Sequence, residues 1–225
     1  MLRKEAIKPE LFERIIFLQK NELFKDYILA GGTALALQTG FRDSIDIDLF
    51  AFRKQNNEII LDFFKENFKD VKVDCNEGNI LNLFVDDIKT DCCGIRGKLL
   101  ETPIREENIV MFGINDISAM KLSAISSRKR AKDYIDIAYL LANGISLENM
   151  FEFYKSKYDE TDILHVKKSL LEYNRINPYE WENVKILDRE FYVSNVPGII
   201  KDEVEKYNKK YGISRRKLFD FFGSK

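Results

Sequence analysis

The chain has 225 residues, of which 45% are hydrophobic, so it is long enough to bury a core as one large domain or two small ones. Its 36 basic and 37 acidic residues leave a formal net charge of -1, which excludes nucleic-acid binding through a globally basic field and leaves only local contacts. No apolar run reaches the roughly 18 residues of a membrane helix, and no signal-peptide core is present, so we expect a cytoplasmic protein without a membrane partner. Three cysteines without CxxC spacing are expected to be reduced thiols, and the single histidine argues against histidine chemistry or a zinc site.

The first half of the chain alternates between helical and strand periodicity. Helices are predicted where apolar residues recur every three or four positions, over residues 9–21, 33–38 and 58–68. Strands are predicted where β-branched and apolar residues cluster, over residues 27–30, 45–50, 71–74, 80–85 and 88–93. The last two strands are expected to form a hairpin that turns at Asp86-Asp87. This half is therefore predicted to be a sheet flanked by helices.

The second half is helical in pattern almost throughout. Asn115, Ser146 and Asn177 are typical N-caps, and Pro178 suits the first position of a helix. Helices are predicted after these caps and at further periodic stretches, namely from Asn115, through Asp133 to Leu140, and over residues 147–158, 162–174, 198–211 and 214–222. We predict an α+β protein with a mixed-sheet core over residues 1–112 and a C-terminal α-helical lobe over 113–225.

A glycine pair lies in Leu29-Ala-Gly-Gly-Thr-Ala34, between a predicted strand and a predicted helix. Gly31 and Gly32 would let backbone N–H groups approach phosphate oxygens at the N-terminus of that helix. The alternative is a tight strand-to-helix connection without a ligand.

Two carboxylates follow in Asp46-Ile-Asp-Leu49. Because side chains of a strand alternate, Asp46 and Asp48 are predicted to share one face, and the other face is predicted to carry Ile45, Ile47 and Leu49. Two like charges side by side are costly unless a cation lies between them, and a divalent metal carrying a triphosphate is the natural candidate. A solvated outer face is the alternative for such a pair, and the preceding glycine turn argues against it.

A third carboxylate is predicted on the second strand of the hairpin, where Lys89, Asp91 and Cys93 share a face. Asp91 would join the aspartate pair if the two strands are neighbours, with Asp74, Asp86 and Asp87 as competitors if the register differs.

Charged residues of the helical half provide a second group of candidates. Lys121 borders the buried side of its helix, and Asp133 and Asp136 are neighbours on the next helix. Each has a structural alternative: Lys121 as a surface lysine, and the two aspartates as i,i+4 partners of Lys129 and Lys132. The basic run from Arg128 to Lys132 could hold RNA phosphates or form a solvated face.

Four segments together resemble the AbiEii/AbiGii toxin family of nucleotidyltransferases, which has the DNA polymerase β-like nucleotidyltransferase fold. They are Gly31-Gly-Thr-Ala-Leu35, Arg42-Asp-Ser44, Asp46-Ile-Asp-Leu-Phe50 and Lys132-Asp-Tyr-Ile-Asp136. The resemblance covers roughly residues 25 to 145 and implies a nucleotidyltransferase-type mixed sheet followed by a helical lobe.

The resemblance also implies roles for the candidate residues. The β- and γ-phosphates of a nucleoside triphosphate (NTP) would be held at Gly31, Gly32 and Thr33. Mg²⁺ would be bound by Asp46, Asp48 and Asp91, and Asp91 would help to deprotonate the attacking hydroxyl. Positive charge on the triphosphate would come from Lys121. The remaining residues of this catalytic set, Asp133 and Asp136, would orient Lys121 or the acceptor.

The expected reaction is Mg²⁺-dependent transfer of a nucleoside monophosphate from an NTP to a hydroxyl, with RNA such as a tRNA 3′ end as the acceptor. The near-neutral charge leaves a small molecule or a protein side chain as an alternative acceptor, and an inactive nucleotide-binding protein that works through a partner is a third hypothesis. The resemblance further implies a role as the toxin of a type IV toxin–antitoxin pair, with an antitoxin as a possible partner.

Overall fold

The computed structural model describes residues 1–212. Within that range the strands are β1 (Ile28–Leu29), β2 (Ile47–Ala51), β3 (Val71–Glu77), β4 (Ile80–Val85), β5 (Ile88–Gly94), β6 (Ile104–Glu106) and β7 (Ile109–Met111). The helices are α1 (Pro9–Lys20), α2 (Gly31–Thr39), α3 (Asn57–Asn67), α4 (Ile114–Ser127), α5 (Ala131–Ala142), α6 (Leu147–Tyr158), α7 (Leu164–Leu170), α8 (Pro178–Glu182) and α9 (Val196–Lys210). Every helix among these residues is too short or too polar to span a bilayer.

The strands form one mixed sheet in the order β3-β4-β5-β2-β1-β7-β6. Strand β2 is central and runs parallel to β5 and antiparallel to β1. The predicted α+β class is confirmed: a mixed sheet with flanking helices is followed by helices α4 to α9. The predicted hairpin is also confirmed, because Val85 pairs with Ile88 and both Asp86 and Asp87 have positive φ.

The hydrophobic core is continuous between the sheet and the helical half. Helices α4 and α5 pack against α2, and buried residues of both halves belong to one cluster. A buried ion pair joins two helices of this half, since Lys157 Nζ on α6 lies 2.6 Å from Asp116 Oδ1 on α4. The division into residues 1–112 and 113–225 stays a prediction, although the last strand ends at Met111 and α4 begins at Ile114.

Several element boundaries differ from the sequence prediction. Helix α2 already begins at Gly31, and β3 continues to Glu77. The segment predicted as helix 162–174 divides into α7 and a separate 3-10 turn at Tyr173–Arg175. The hairpin of β6 and β7 was not predicted, because each strand has only three residues and shows no measurable period. The helix predicted over 214–222 lies outside the described residues.

The predicted placement of Ile45 is wrong. Strand β2 begins only at Ile47, so Ile45 precedes it and is 52% exposed, whereas Ile47 and Leu49 are fully buried. Alternation of side chains applies only where the backbone is extended within the strand.

Candidate active site

Two of the predicted carboxylates lie side by side on the sheet. Strands β2 and β5 are neighbours, and Asp48 pairs directly with Asp91 in the parallel register. Asp46 lies just before β2 and is half-buried. The residues between and after them, Ile47 and Leu49, point into the core. Asp48 and Asp91 are thus direct neighbours, and Asp46 is close enough for its charge to act on Asp48.

Burial and like charge act together on Asp48. Burial, followed by the nearby charge of Asp91, raises the pKa of Asp48 to about 6, although Lys121 and Lys89 oppose this shift. Lys89 Nζ lies 2.7 Å from Oδ2 of Asp91. The other oxygen of Asp91, Oδ1, is buried and has no hydrogen-bond partner among the described residues. Such an atom pays a desolvation cost that a bound cation would offset.

The glycine turn lies directly against these carboxylates. Gly31 has φ +66°, and a Cβ at this position would overlap Oδ2 of Asp48. A Cβ on Gly32 would overlap Nη2 of Arg42 instead. Because the first N–H groups of α2 have no acceptor within the helix, they are available to an anion beside Asp48.

Thr33 is oriented differently from its predicted role. Its hydroxyl is fully buried and bonds the Asp46 carbonyl and, at 2.9 Å, the Ser44 hydroxyl. The hydroxyl therefore braces the segment that leads into β2, and only the backbone N–H of Thr33 remains for the predicted phosphate contact.

The helical lobe brings a buried charge cluster to the same place. Lys121 Nζ on α4 lies 2.9 Å from Asp133 Oδ1 and 2.6 Å from Asp136 Oδ2, both on α5. Burial favours the neutral amine, but Asp133 and Asp136 outweigh it and raise the pKa of Lys121. Asp133 and Asp136 were predicted to orient either Lys121 or the acceptor, and in the structure both contact Lys121. Arg128 Nε adds a contact to Asp133 Oδ2 at 3.2 Å.

Arg42 was missed as a functional residue, although it lies in the Arg42-Asp-Ser44 segment that carries the resemblance. It is 1% exposed, and its Nε and Nη2 donate to the two oxygens of Asp136 at 2.6 and 2.9 Å. The signal that could have identified Arg42 is its position between the predicted helix 33–38 and the Asp46-Ile-Asp48 pair.

The two lysines considered as i,i+4 partners have other partners in the structure. Lys132 Nζ lies 3.6 Å from Asp46 Oδ2, and Lys129 Nζ lies 3.1 Å from Glu172 Oε2. The i,i+4 pairs considered for Asp133 and Asp136 are therefore not formed. Lys132 thus reaches from α5 to the carboxylates, whereas Lys129 pairs with a residue that follows α7.

The carboxylates suit a Mg²⁺ ion that is bound jointly by the protein and the substrate phosphates, rather than by protein side chains alone. Among residues 1–212, no three His, Cys, Asp or Glu side chains already converge into a closed metal-binding group. Mg²⁺ is commonly bound by one or two carboxylates together with substrate phosphates and water. The free Oδ1 of Asp91 beside Asp48 meets that requirement.

Comparison with known proteins identifies the family. The family described as nucleotidyl transferase AbiEii toxin, type IV TA system, matches residues 15–191. An uncharacterised protein of Aquifex aeolicus is 31% identical over an alignment of 196 residues, and the match covers 82% of this chain and 92% of the relative.

Solved structures share the fold at low sequence identity. JHP933 of Helicobacter pylori has a TM-score of 0.60 at 16% identity, with 94% of this chain and 95% of that chain covered. MenT4, a nucleotidyltransferase toxin of Mycobacterium tuberculosis, has a TM-score of 0.56 at 13% identity, with 86% and 80% covered. The chain belongs to the AbiEii family of nucleotidyltransferase toxins of type IV toxin–antitoxin systems, and it is a nucleotidyltransferase.

Proposed function

We propose that this nucleotidyltransferase moves a nucleoside monophosphate from an NTP to a hydroxyl of RNA, such as a tRNA 3′ end, in a Mg²⁺-dependent reaction. The observation that carries the proposal is the contact of the glycine turn with Asp48, opposite Lys121 of the helical lobe. This arrangement combines N–H donors, carboxylates and a fixed cation in one cleft.

The triphosphate is placed by the glycine turn and the helical lobe. N–H groups of Gly31, Gly32 and Thr33 bind phosphate oxygens at the N-terminus of α2. Lys121 faces these phosphates from α4 and is held in position by Asp133 and Asp136. Because Asp133 and Asp136 raise the pKa of Lys121 and keep it an ammonium, it would orient the phosphates through charge-assisted hydrogen bonds.

The carboxylates act at the α-phosphate. Asp46, Asp48 and Asp91 would hold Mg²⁺, and the ion would supply positive charge to the departing pyrophosphate. The acceptor oxygen forms a bond to the α-phosphorus, and the bond from that phosphorus to pyrophosphate breaks. The hydroxyl proton passes to the carboxylate of Asp91, whose Oδ1 has no partner in the described residues.

Labelling of RNA tests this proposal directly. The purified protein is incubated with each α-labelled NTP, Mg²⁺ and total tRNA, and the RNA is separated from protein. We expect label in RNA with at least one NTP, no label in Asp46→Ala, and normal labelling in Asp62→Ala, an exposed aspartate on α3. Absence of label with every NTP, or equal labelling by Asp46→Ala, would refute the proposal.

The near-neutral charge favours a second candidate acceptor. A net charge of -1 provides no general attraction for RNA, so a small molecule or a protein side chain is the alternative hydroxyl donor. Pyrophosphate release is measured with candidate acceptors of each class. Release that depends on RNA alone eliminates this second candidate.

A toxin role and an antitoxin partner follow as proposals from family membership. Expression in a bacterial host is expected to slow growth, and Asp48→Ala is expected to abolish the effect. Coexpression of the neighbouring gene is expected to restore growth if that gene encodes the antitoxin. Equal growth with the intact and Asp48→Ala proteins would contradict the toxin role.

A further inference from the structure

The sheet face that carries the aspartates continues past Asp91 onto β4. Asp48 on β2 pairs with Asp91 on β5, and Asp91 in turn pairs with Asn82 on β4. In the adjacent row, Phe84 lies opposite Lys89. Directly opposed residues have Cβ atoms about 5 Å apart. Asn82 and Phe84 are therefore immediate neighbours of the candidate active site.

This part of the face is open. Phe84 is 39% exposed and Ile80 on the same face is 44% exposed, whereas Leu81 and Leu83 on the opposite face are fully buried. Helix α3 packs against β3 and β4, so it covers the face opposite to the aspartates. Phe84 lies outside the hydrophobic core and beside the candidate carboxylates.

The geometry of phosphoryl transfer determines which substrate reaches this surface. The attacking oxygen and the leaving oxygen lie roughly in line on opposite sides of the phosphorus. The glycine turn holds the leaving pyrophosphate on the β1–α2 side of Asp48, so the acceptor approaches from the β5–β4 side. This step rests on the proposed function.

The chemistry of the surface indicates how it binds. Lys89 is paired with Asp91, so this surface offers little free positive charge for a phosphate backbone. The Phe84 ring can instead stack on a base, and the Asn82 amide can both donate and accept hydrogen bonds. Bases are accessible to such contacts only where the strand is unpaired.

We propose that Asn82 and Phe84 form a platform for the unpaired terminal nucleotides of the RNA acceptor. Phe84 stacks on a base of the acceptor end, and Asn82 contacts a base edge close to Asp91. The phosphates of the same strand face Arg128 and Lys132, whose side chains are 53% and 43% exposed although each contacts an aspartate. The acceptor class is therefore an RNA with a single-stranded end.

A binding experiment tests the platform separately from turnover. A 5′-fluorescein-labelled single-stranded RNA with a free 3′ hydroxyl is titrated with the full chain, and anisotropy is measured. Phe84→Ala is expected to weaken binding about 5- to 150-fold, the range of base–aromatic stacking. Phe84→Tyr, which keeps the ring, should bind as the unchanged protein does. Ile59→Ala, at a 53% exposed residue on α3, is the control and should also leave binding unchanged.

Kinetics supply the second readout. Phe84→Ala and Asn82→Ala are expected to raise KM for the RNA and to leave KM for the NTP unchanged. General misfolding would instead affect both substrates. A blunt duplex of the same sequence is expected to bind more weakly and to be insensitive to Phe84→Ala.

The outcomes separate the two proposals. If the unchanged protein labels RNA but Phe84→Ala retains the affinity and KM for RNA, the platform is refuted and the proposed function stands. If label enters a protein or a small molecule and not RNA, both the RNA acceptor and the platform are refuted.

Discussion

Arg42 and Asp136 form a bidentate ion pair in the interior, with Nε and Nη2 of the arginine 2.6 and 2.9 Å from the two carboxylate oxygens. The pair joins segments 94 residues apart. Gly32 lies against the guanidinium, and Lys121 shares Asp136 Oδ2 at 2.6 Å. The glycine turn and Lys121 are thus connected through only two side chains, which explains how the two halves of the site keep their relative position.

Removal of Arg42 is expected to destabilise the fold. Arg42→Ala leaves Asp136 with Lys121 as its remaining cation and should lower the free energy of unfolding by about 3 kcal/mol, the lower end for a broken buried pair. Arg42→Lys should restore only part of this, because an ammonium cannot replace the bidentate guanidinium. Urea unfolding measures both changes.

Arg53→Ala is the control for this prediction, since the Arg53 pair with Asp26 at 3.4 Å is exposed. Its change should stay below about 1 kcal/mol. A loss of less than about 1 kcal/mol in Arg42→Ala would contradict a structural role of the buried pair.

Gly31→Ala is expected to abolish activity by displacing Asp48. The new Cβ would overlap Oδ2 of Asp48, and the backbone at φ +66° adds strain. Gly78→Ala introduces comparable strain at φ +55° but meets no atom within 4 Å. Each substitution should cost roughly 1 kcal/mol of backbone strain, whereas only Gly31→Ala should reduce transfer by more than about tenfold. Labelled-NTP turnover and thermal unfolding of both variants decide this, and equal activity of the two variants would count against the contact.

Asp48→Asn is expected to separate stability from activity. Because burial and Asp91 raise the pKa of Asp48 to about 6, ionisation of this group costs folding free energy. The cost develops as the pH rises from the unfolded pKa of about 4 through the folded value and persists above it. Without metal, Asp48→Asn should therefore be roughly 1–2 kcal/mol more stable at about pH 8 and equal to the unchanged protein below about pH 4.

The same variant should lose nucleotidyl transfer because the amide is a poor replacement for a metal-binding carboxylate. Urea unfolding in a chelating buffer across the pH range gives the stability difference, and Asp62→Asn serves as the exposed control. A variant that is less stable than the unchanged protein at high pH would show that the Asp48 charge contributes favourably to the fold.

Much of the site could be predicted from local sequence. Alternation within a strand separates Asp48 from the buried Ile47 and Leu49, and hairpin chemistry predicts the turn at Asp86-Asp87. The glycine turn before α2 was recognisable because positive φ and close approach to a neighbouring group require glycine.

Only the tertiary structure decided which charges meet. Lys132 contacts Asp46 rather than Asp136. Asp136 instead forms an ion pair with Arg42, which is 94 residues away in the sequence. Periodicity and capping depend on steric rules that act over a few residues, so the sequence alone indicated most of the longer strands and helices and placed Asp48, Asp91 and Lys121 on them, but not the short β6–β7 hairpin. Ion pairs between the sheet and the helical lobe depend on how helices α4 and α5 pack against α2, and that packing is a property of the whole folded chain.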